Sequence, residues 1–395
     1  LRAQIQRDVR ARVGSLPGPV SVSVTRAPAN SSPSVPDREE LWNGRLRPGE
    51  EVGRGATASV IRGVDTKLRR ELAIKGTTEP RESMPTALLA RFVQEAQITA
   101  QLEHPNVVPV HDMGLDPQGR AYFSMKLVRG HSLESILERR KQKDAATLSE
   151  FGLRRLLEVF LQVCQAVEHA HARGVIHRDL KPANIMVGDF GEVLVMDWGI
   201  AKVKGRSESM PEITTVREGV DALATHTGAV LGTPAYMAPE QALGEEVDER
   251  ADVYSLGVIL YEILCGEIPF DGDDAATLLP RVIAERPRPP SRLAAETPAA
   301  LEALVMRMLE KRPEHRTLSI RRIRSHVQDY IAGIGHAYGR ESLFARGDYG
   351  AAAEEFKKGY KAYPKSKRGP DTLLKLGLSM AGLDFRDEAC KMYAL

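Results

Sequence analysis

Apolar residues recur at two different spacings along this chain. Between Glu51 and Leu127 they fall in short alternating runs, and after Gly130 they fall three and four apart. The first pattern predicts strands at Glu51–Val52, Ala58–Arg62, Glu71–Lys75, Val107–Met113 and Ala121–Leu127. Asp116-Pro117-Gln118-Gly119 forms the turn between the last two. One amphipathic helix interrupts them over Thr86–Leu102, with Leu88, Leu89, Phe92, Ala96 and Thr99 on a single face. The second pattern predicts a long helix over Leu153–Ala172, where Leu156, Phe160, Val163, Val167 and Ala170 share a stripe. Further helices are expected over Asp248–Cys265, Ala276–Ala284 and Pro298–Lys311. Between them lie a loop (His177–Asn184), a β pair (Ile185–Val187 with Val193–Met196) and an irregular stretch, Asp197–Glu240. A loop of about forty residues inside a compact domain is usually functional. The expected fold class is α+β: a small antiparallel β lobe carrying one helix, then a larger helical lobe.

The flanks read differently. Residues 1–13 are charged and weakly helical, and residues 15–36 hold five Pro and six Ser in 22 positions, the composition of a flexible linker. Near His336 small and aromatic residues return. Aligning Ala352–Phe356 with Ala389–Tyr393 gives a period of 37, close to the 34 of tetratricopeptide repeats with three residues inserted around Lys365–Arg368. Gly347-Asp348-Tyr349, Pro364 and Gly377 belong to the same pattern; a plain helical cap is the simpler alternative. The expected division is a flexible segment 1–45, a main domain 46–332 split near 128/129, and a repeat-like helical region 333–395. The chain starts at Leu1 and stops inside a helical pattern, so both ends read as cut, leaving a further anchor or domain open.

Composition adds exclusions. With 42% apolar and 27% charged residues, the 395-residue chain is ordinary globular protein, long enough for a large core. Its net charge of +2 gives no global attraction to nucleic acid, and the cluster Arg321, Arg322 and Arg324 reads as a solvated helix face. Cys164, Cys265 and Cys390 are odd in number and far apart, which supports neither a disulfide framework nor a zinc site and fits a reducing, cytoplasmic setting. The most apolar stretch, Val253–Phe270, contains Ser255, Glu262 and Glu267, so a buried helix is expected rather than a membrane span.

Candidate chemistry begins at Gly53-Arg54-Gly55-Ala56-Thr57-Ala58-Ser59-Val60. Glycines admit backbone N–H groups close to phosphate oxygens, although a plain hairpin turn would use them too. Lys75 follows 22 residues after Gly53 at the end of an apolar strand, and Glu95 follows 20 residues later among apolar helix neighbours. Taken singly, they could be a solvated strand tip and a surface helix residue. The string Val175-Ile-His-Arg-Asp-Leu-Lys-Pro-Ala-Asn-Ile-Met-Val187 changes that weighting. It is followed, 13 residues after Asn184, by Asp197-Trp198-Gly199, and then by Gly232-Thr-Pro-Ala-Tyr-Met-Ala-Pro-Glu240. Over about residues 46–330 the sequence resembles the Ser/Thr protein kinase family, in its bacterial eukaryotic-like branch.

That resemblance implies a two-lobed kinase fold, with ATP and Mg²⁺ between the lobes. Gly53 and Gly55 would cover the phosphates, and Lys75, paired with Glu95, would hold them. Val60 and Ala73 would sandwich adenine from above and Met186 from below, with Met125 at the back and Lys126–Val128 as the hinge. Asp179 would accept the substrate hydroxyl's proton, Lys181 would face the γ-phosphate, and Asn184 and Asp197 would ligate the metal. Thr225 and Thr227 are the expected activation-loop phosphosites, answering Arg178, with Thr214 and Thr215 as rivals. Thr233 would help select Ser or Thr acceptors. Glu240 with Arg316, Asp252 and His177 fill scaffold roles, His177 packing under Trp198. Implied partners are protein substrates, a transient second copy for autophosphorylation in trans, and proteins recruited by the repeat-like region.

Two departures stand out: Ala58 replaces the third glycine, and Trp198 replaces the family's phenylalanine. They are the support for a rival function, a catalytically weak kinase-like scaffold whose repeats bind partners. A small-molecule kinase is disfavoured by Lys181 and the Gly-Thr-Pro-x-Tyr segment.

Overall fold

The structure, a computed structural model, describes residues 41–55, 57–199, 201–203, 234–272, 274–316, 319–334, 349–362, 375–376 and 378–380. Thr214, Thr215, Thr225, Thr227 and Thr233 lie outside the described residues, as do Pro364, Gly377, Ala389, Cys390 and Tyr393.

Five antiparallel strands form the small lobe: β1 (Leu46–Arg54), β2 (Ala58–Asp65), β3 (Arg70–Thr77), β4 (Val110–Leu115) and β5 (Ala121–Met125), in the order β1-β2-β3-β5-β4. Strand alternation sorts their side chains onto two faces. Leu46, Leu72, Ile74 and Tyr122 pack outward beneath Trp42, whose ring lies 5.1 Å from that of Tyr122. Ala121 and Phe123 face inward onto Phe92 and Ala96 of helix α1 (Thr86–Gln101). β1 is longer than expected because its outer half pairs with β2 through two register irregularities around Pro48 and Gly53 that break the alternation. β4 starts three residues later than expected. Val107 and Val108 instead join the large lobe, Val107 bridging to Val195 and the Val108 amide donating to the Val195 carbonyl at 3.3 Å. Pro109, which has no amide hydrogen, separates the two pairings.

The large lobe contains β6 (Gly130–Ser132), α2 (Leu133–Lys141), α3 (Ala145–Glu150), α4 (Leu153–Ala172), β7 (Val175–Ile176), β8 (Ile185–Gly188), β9 (Val193–Val195) and β10 (Lys202–Val203). It continues with α5 (Pro239–Leu243), α6 (Arg250–Cys265), α7 (Ala275–Ala284), α8 (Ala299–Met308) and α9 (Ile320–Asp329). Every residue from Ala251 to Tyr261 is buried, so α6 is a central helix covered on all sides, and Gly266 ends it at φ +76°. The sequence pattern missed α2, α3 and α5, and marked α9 only through the helix face of Arg321, Arg322 and Arg324. On α9, Ile320, Ile323 and Val327 turn inward, while Arg321 and Arg324 both pair with Glu168 of α4. The stretch expected to be irregular from Asp197 contains β10, paired with β7, and a helical turn at Pro234–Tyr236. A separate small cluster of Ala352, Phe356 and Leu376 includes helix α10 (Tyr349–Ala362). Among the described residues no helix is long and apolar enough to cross a membrane.

Candidate active site

β3 points Lys75 off the inner face of the sheet, and α1 brings Glu95 to meet it. Lys75 Nζ donates to Glu95 Oε1 at 2.6 Å and lies 3.5 Å from Asp197 Oδ1, which comes from the segment after β9. Burial opposes the Lys75 ammonium, yet Asp197 and Glu95 outweigh it and hold its pKa above the ordinary lysine value. Lys75 in turn pulls the Asp197 carboxyl below its usual range. Burial pushes the Glu95 carboxyl up to about 7 against the attraction of Lys75.

The second half of the site is the loop between β7 and β8. Lys181 Nζ donates to Asp179 Oδ2 at 2.9 Å, and Asn184 Nδ2 donates to the Asp179 carbonyl at 2.9 Å and to Oδ2 at 3.4 Å. The Asn184 carbonyl accepts the Met196 amide at 2.9 Å, tying this loop to the residue before Asp197. Arg178 and Asp197 adopt left-handed φ values of +68° and +61°. For residues with a Cβ this costs about 1–2 kcal/mol each. Asp252 holds the first of them in place. Its carboxylate accepts the His177 and Arg178 amides at 2.9 Å each, while Gln241 Nε2 donates to the Arg178 carbonyl at 2.9 Å. His171 Nε2 lies 2.7 Å from the same Asp252 carboxylate. Burial presses that carboxyl upward, but His171 and the amides outweigh it, so its pKa stays below the ordinary value.

His177 and Trp198 pack with ring centroids 4.5 Å apart, and His177 Nδ1 accepts the Asp179 amide at 3.3 Å. Trp198 is buried, and its indole N–H has no acceptor among the described residues. At Gly199 space is tight: a Cβ would sit 3.1 Å from Asp197 Oδ1 and 3.2 Å from Glu95 Oε2.

The remaining expected residues come from the small-lobe sheet, the linker after β5 and strand β8. Val60 is in register with Lys75, and Ala73 with Met125. Met125 packs partly buried on the Phe92–Phe123 cluster. Gly53 is in register with Val60, and the Gly55 amide donates to the Ala58 carbonyl at 2.7 Å, closing the turn between β1 and β2. The Lys126 amide donates to the Pro109 carbonyl at 3.0 Å as the chain leaves β5, with Val128 half-buried beyond it. Met186 is buried on β8, opposite Ser132 and Leu194. Glu240 and Arg316 form a buried pair at 2.6 and 2.7 Å. His171 and Gln241 had no signal in the sequence pattern, because they serve a buried carboxylate and the backbone of Arg178.

A divalent cation suits this donor set. Asn184 spends its amide nitrogen on Asp179, which leaves its oxygen for a metal, and the Asp197 side chain is 45% exposed and ionised. Two protein oxygens fit Mg²⁺, which keeps waters and takes phosphate oxygens. Among the described residues no group of three or more His, Cys, Asp or Glu side chains forms a fuller metal cage.

Comparison with known proteins agrees with this geometry. The model of the protein kinase domain matches residues 46–328. The chain is 36% identical over 317 residues to a probable serine/threonine-protein kinase of Streptomyces coelicolor, covering 79% of this chain and 44% of that protein. It is 39% identical over 283 residues to the serine/threonine-protein kinase PknB of Mycolicibacterium smegmatis, covering 71% and 41%. With PknD of Protochlamydia amoebophila the identity is 35% over 296 residues, covering 72% and 30%. The chain thus spans less than half the length of each of these relatives.

Proposed function

This chain belongs to the protein kinase family, and from that membership we propose that it is an ATP-dependent serine/threonine protein kinase of the bacterial type. The observation carrying the proposal is the convergence of Lys75, Glu95 and Asp197 in one ionic cluster, with Asp179, Lys181 and Asn184 in the adjoining loop joined to it through Met196.

Lys75, held charged by Glu95 and Asp197, binds the α/β-phosphates of ATP. Asp179 orients a Ser or Thr hydroxyl and accepts its proton as the oxygen bonds to the γ-phosphorus and ADP leaves. Lys181, already on Asp179, balances charge on the transferred group. Asn184 and Asp197 would hold Mg²⁺, which when bound supplies neutralisation of the phosphate charge. Val60, Ala73 and Met186 enclose adenine, with Met125 behind it and the 126–128 backbone as its hydrogen-bonding edge. Gly53 and Gly55 admit the phosphates. The proposal extends to Thr225 and Thr227 as autophosphorylation sites, Thr233 in acceptor selection, the domain limits 46–332, a cytoplasmic setting and partner binding by a repeat-like region 333–395.

Transfer of labelled γ-phosphate by the purified chain tests it. The wild type should label itself on Thr225 or Thr227, located by mass mapping. Asp179→Asn and Lys75→Met should each lose roughly 10³-fold or more in rate. ATP binding without any transfer would favour the scaffold alternative, whose supports remain Ala58 and Trp198.

A further inference from the structure

A second charged group lies at the opposite end of the cleft from the catalytic cluster. Glu71, Ala73 and Lys75 alternate along β3 and so share its inner face. Four residues of strand place Glu71 about 13 Å from Lys75. The Glu71 carboxylate is shared by two guanidiniums: Oε1 accepts from Arg62 of β2, and Oε2 accepts from Arg129. Arg62 also lies 3.6 Å from Glu50 of β1. Burial presses the Glu71 carboxyl upward, but the two arginines outweigh it and keep it below its ordinary pKa.

Arg129 stands at the far end of the interlobe linker. Its carbonyl accepts the Asp189 amide at 3.0 Å, and the next residue, Gly130, is in register with Gly188 of β8. Gly130 has φ +145°, and a Cβ there would lie 2.1 Å from the Val187 carbonyl oxygen, so the linker is pressed onto the large lobe at this point. Lys126, 3.4 Å from Glu192, adds a tie to the same β8–β9 hairpin. The Arg129 backbone therefore moves with the large lobe, while its side chain is held by the small one. β3 reaches the large lobe twice: through Lys75 and Asp197 at the phosphate end, and through Glu71 and Arg129 at the hinge end.

We propose that Glu71, by gripping Arg62 and Arg129 together, straps the lobes at the hinge end and sets the spacing at which the cleft holds its nucleotide. This rests on the kinase reading of the cleft. Glu71 is a positioning residue: it acts on the nucleotide through the lobe spacing and leaves the phosphoryl-transfer groups untouched. The carboxylate and Arg62 are each one-third exposed and Arg129 two-thirds, so the effect is a few-fold and sensitive to salt.

The test is equilibrium binding of ADP, followed by displacement of a fluorescent ADP analogue, alongside kcat and KM for ATP. It uses the full chain as wild type, Glu71→Gln, Arg129→Gln and the double variant. Each single variant should raise the ADP Kd and the ATP KM about three- to fivefold, with kcat within twofold. The double variant should match Glu71→Gln alone, since that substitution already removes the Arg129 contact together with the Arg62 one. Sodium chloride at 0.5 M should bring the wild type to the variants' Kd. An unchanged Kd, a fall in kcat at constant KM, or additive effects in the double variant would each overturn the strap. A wild type that binds ADP but transfers no phosphate would defeat the kinase proposal, while the ADP arm still judges the strap.

Discussion

The Glu240–Arg316 pair offers a perturbation whose size can be worked from the contacts. Neither side chain is more than 3% exposed. Arg316 donates to both Glu240 oxygens and to the carbonyls of Glu310, Arg250 and Lys311 at 2.6, 3.0 and 2.9 Å. Glu240→Gln keeps the shape of the side chain but removes its charge and one of the two oxygens that accept from Arg316, leaving a guanidinium buried without its counter-ion. Breaking a buried pair in this way costs about 3–5 kcal/mol. At about 2 °C per kcal/mol for a domain of this size, the melting temperature should fall by about 6–10 °C. Replacing both partners, as Glu240→Leu with Arg316→Met, removes the buried charge but abandons the three carbonyls. At about 1 kcal/mol or more per abandoned acceptor, the double variant should recover only part of the loss. Urea unfolding followed by circular dichroism at constant m-value measures both changes. A loss below about 1 kcal/mol for Glu240→Gln would refute the view that this pair anchors the start of α5.

Two further outcomes follow from buried polar groups. Because the Trp198 indole N–H has no acceptor among the described residues, Trp198→Phe sacrifices no hydrogen bond and should change unfolding free energy by less than about 1 kcal/mol. Trp198→Ala should cost about 3–5 kcal/mol; equal losses in the two variants would contradict this. Lys311 is half-buried with its ammonium 4.1 Å from the Phe270 ring centroid, and partial burial pushes its pKa down to about 7 from the lysine value of 10.5. Between these values the unfolded chain binds more protons than the folded one. Stability should therefore rise as pH increases from 7 towards 10.5, by at most about 1.4 kcal/mol per unit. Denaturant midpoints across that range should show this rise, and Lys311→Met should flatten it; an unchanged slope in the variant would contradict the assignment.

The parts of the molecule legible in the sequence are those fixed by local periodicity or by side-chain chemistry. Helices α1, α4 and α6 and strands β2, β3 and β5 carry long enough patterns to be placed within a few residues. The Lys75, Glu95, Asp179, Asn184 and Asp197 set is legible because its spacing repeats a family signature. Helix α2 escaped, and α9 was legible only from its arginine face, because each buries only three apolar residues in polar surroundings, too short a stripe to stand out. β7 and β10 are two-residue strands whose pairing joins Val175–Ile176 to Lys202–Val203, so only the tertiary fold defines them. β4 was displaced because Val107, Val108 and Val110 form an apolar run that suits either lobe. The choice was made by contact with Val195, which no local pattern contains.

Strain and anchorage explain why the loop carrying Asp179 depends on residues remote from it in sequence. Arg178 and Asp197 occupy left-handed backbone conformations that an isolated chain would abandon for a gain of about 1–2 kcal/mol each. Asp252 opposes this at Arg178 through two amide bonds, and the buried start of α6 gives it no alternative partner in water. His171 meets the same Oδ2 that accepts the His177 amide, so Oδ1 is left to the Arg178 amide. A carboxylate so placed serves the loop only while it remains ionised, which its depressed pKa secures. The backbone conformation that presents Asp179 is thus held from behind by charge buried in α6, and the central helix is as much a part of the site as the loop that faces the cleft.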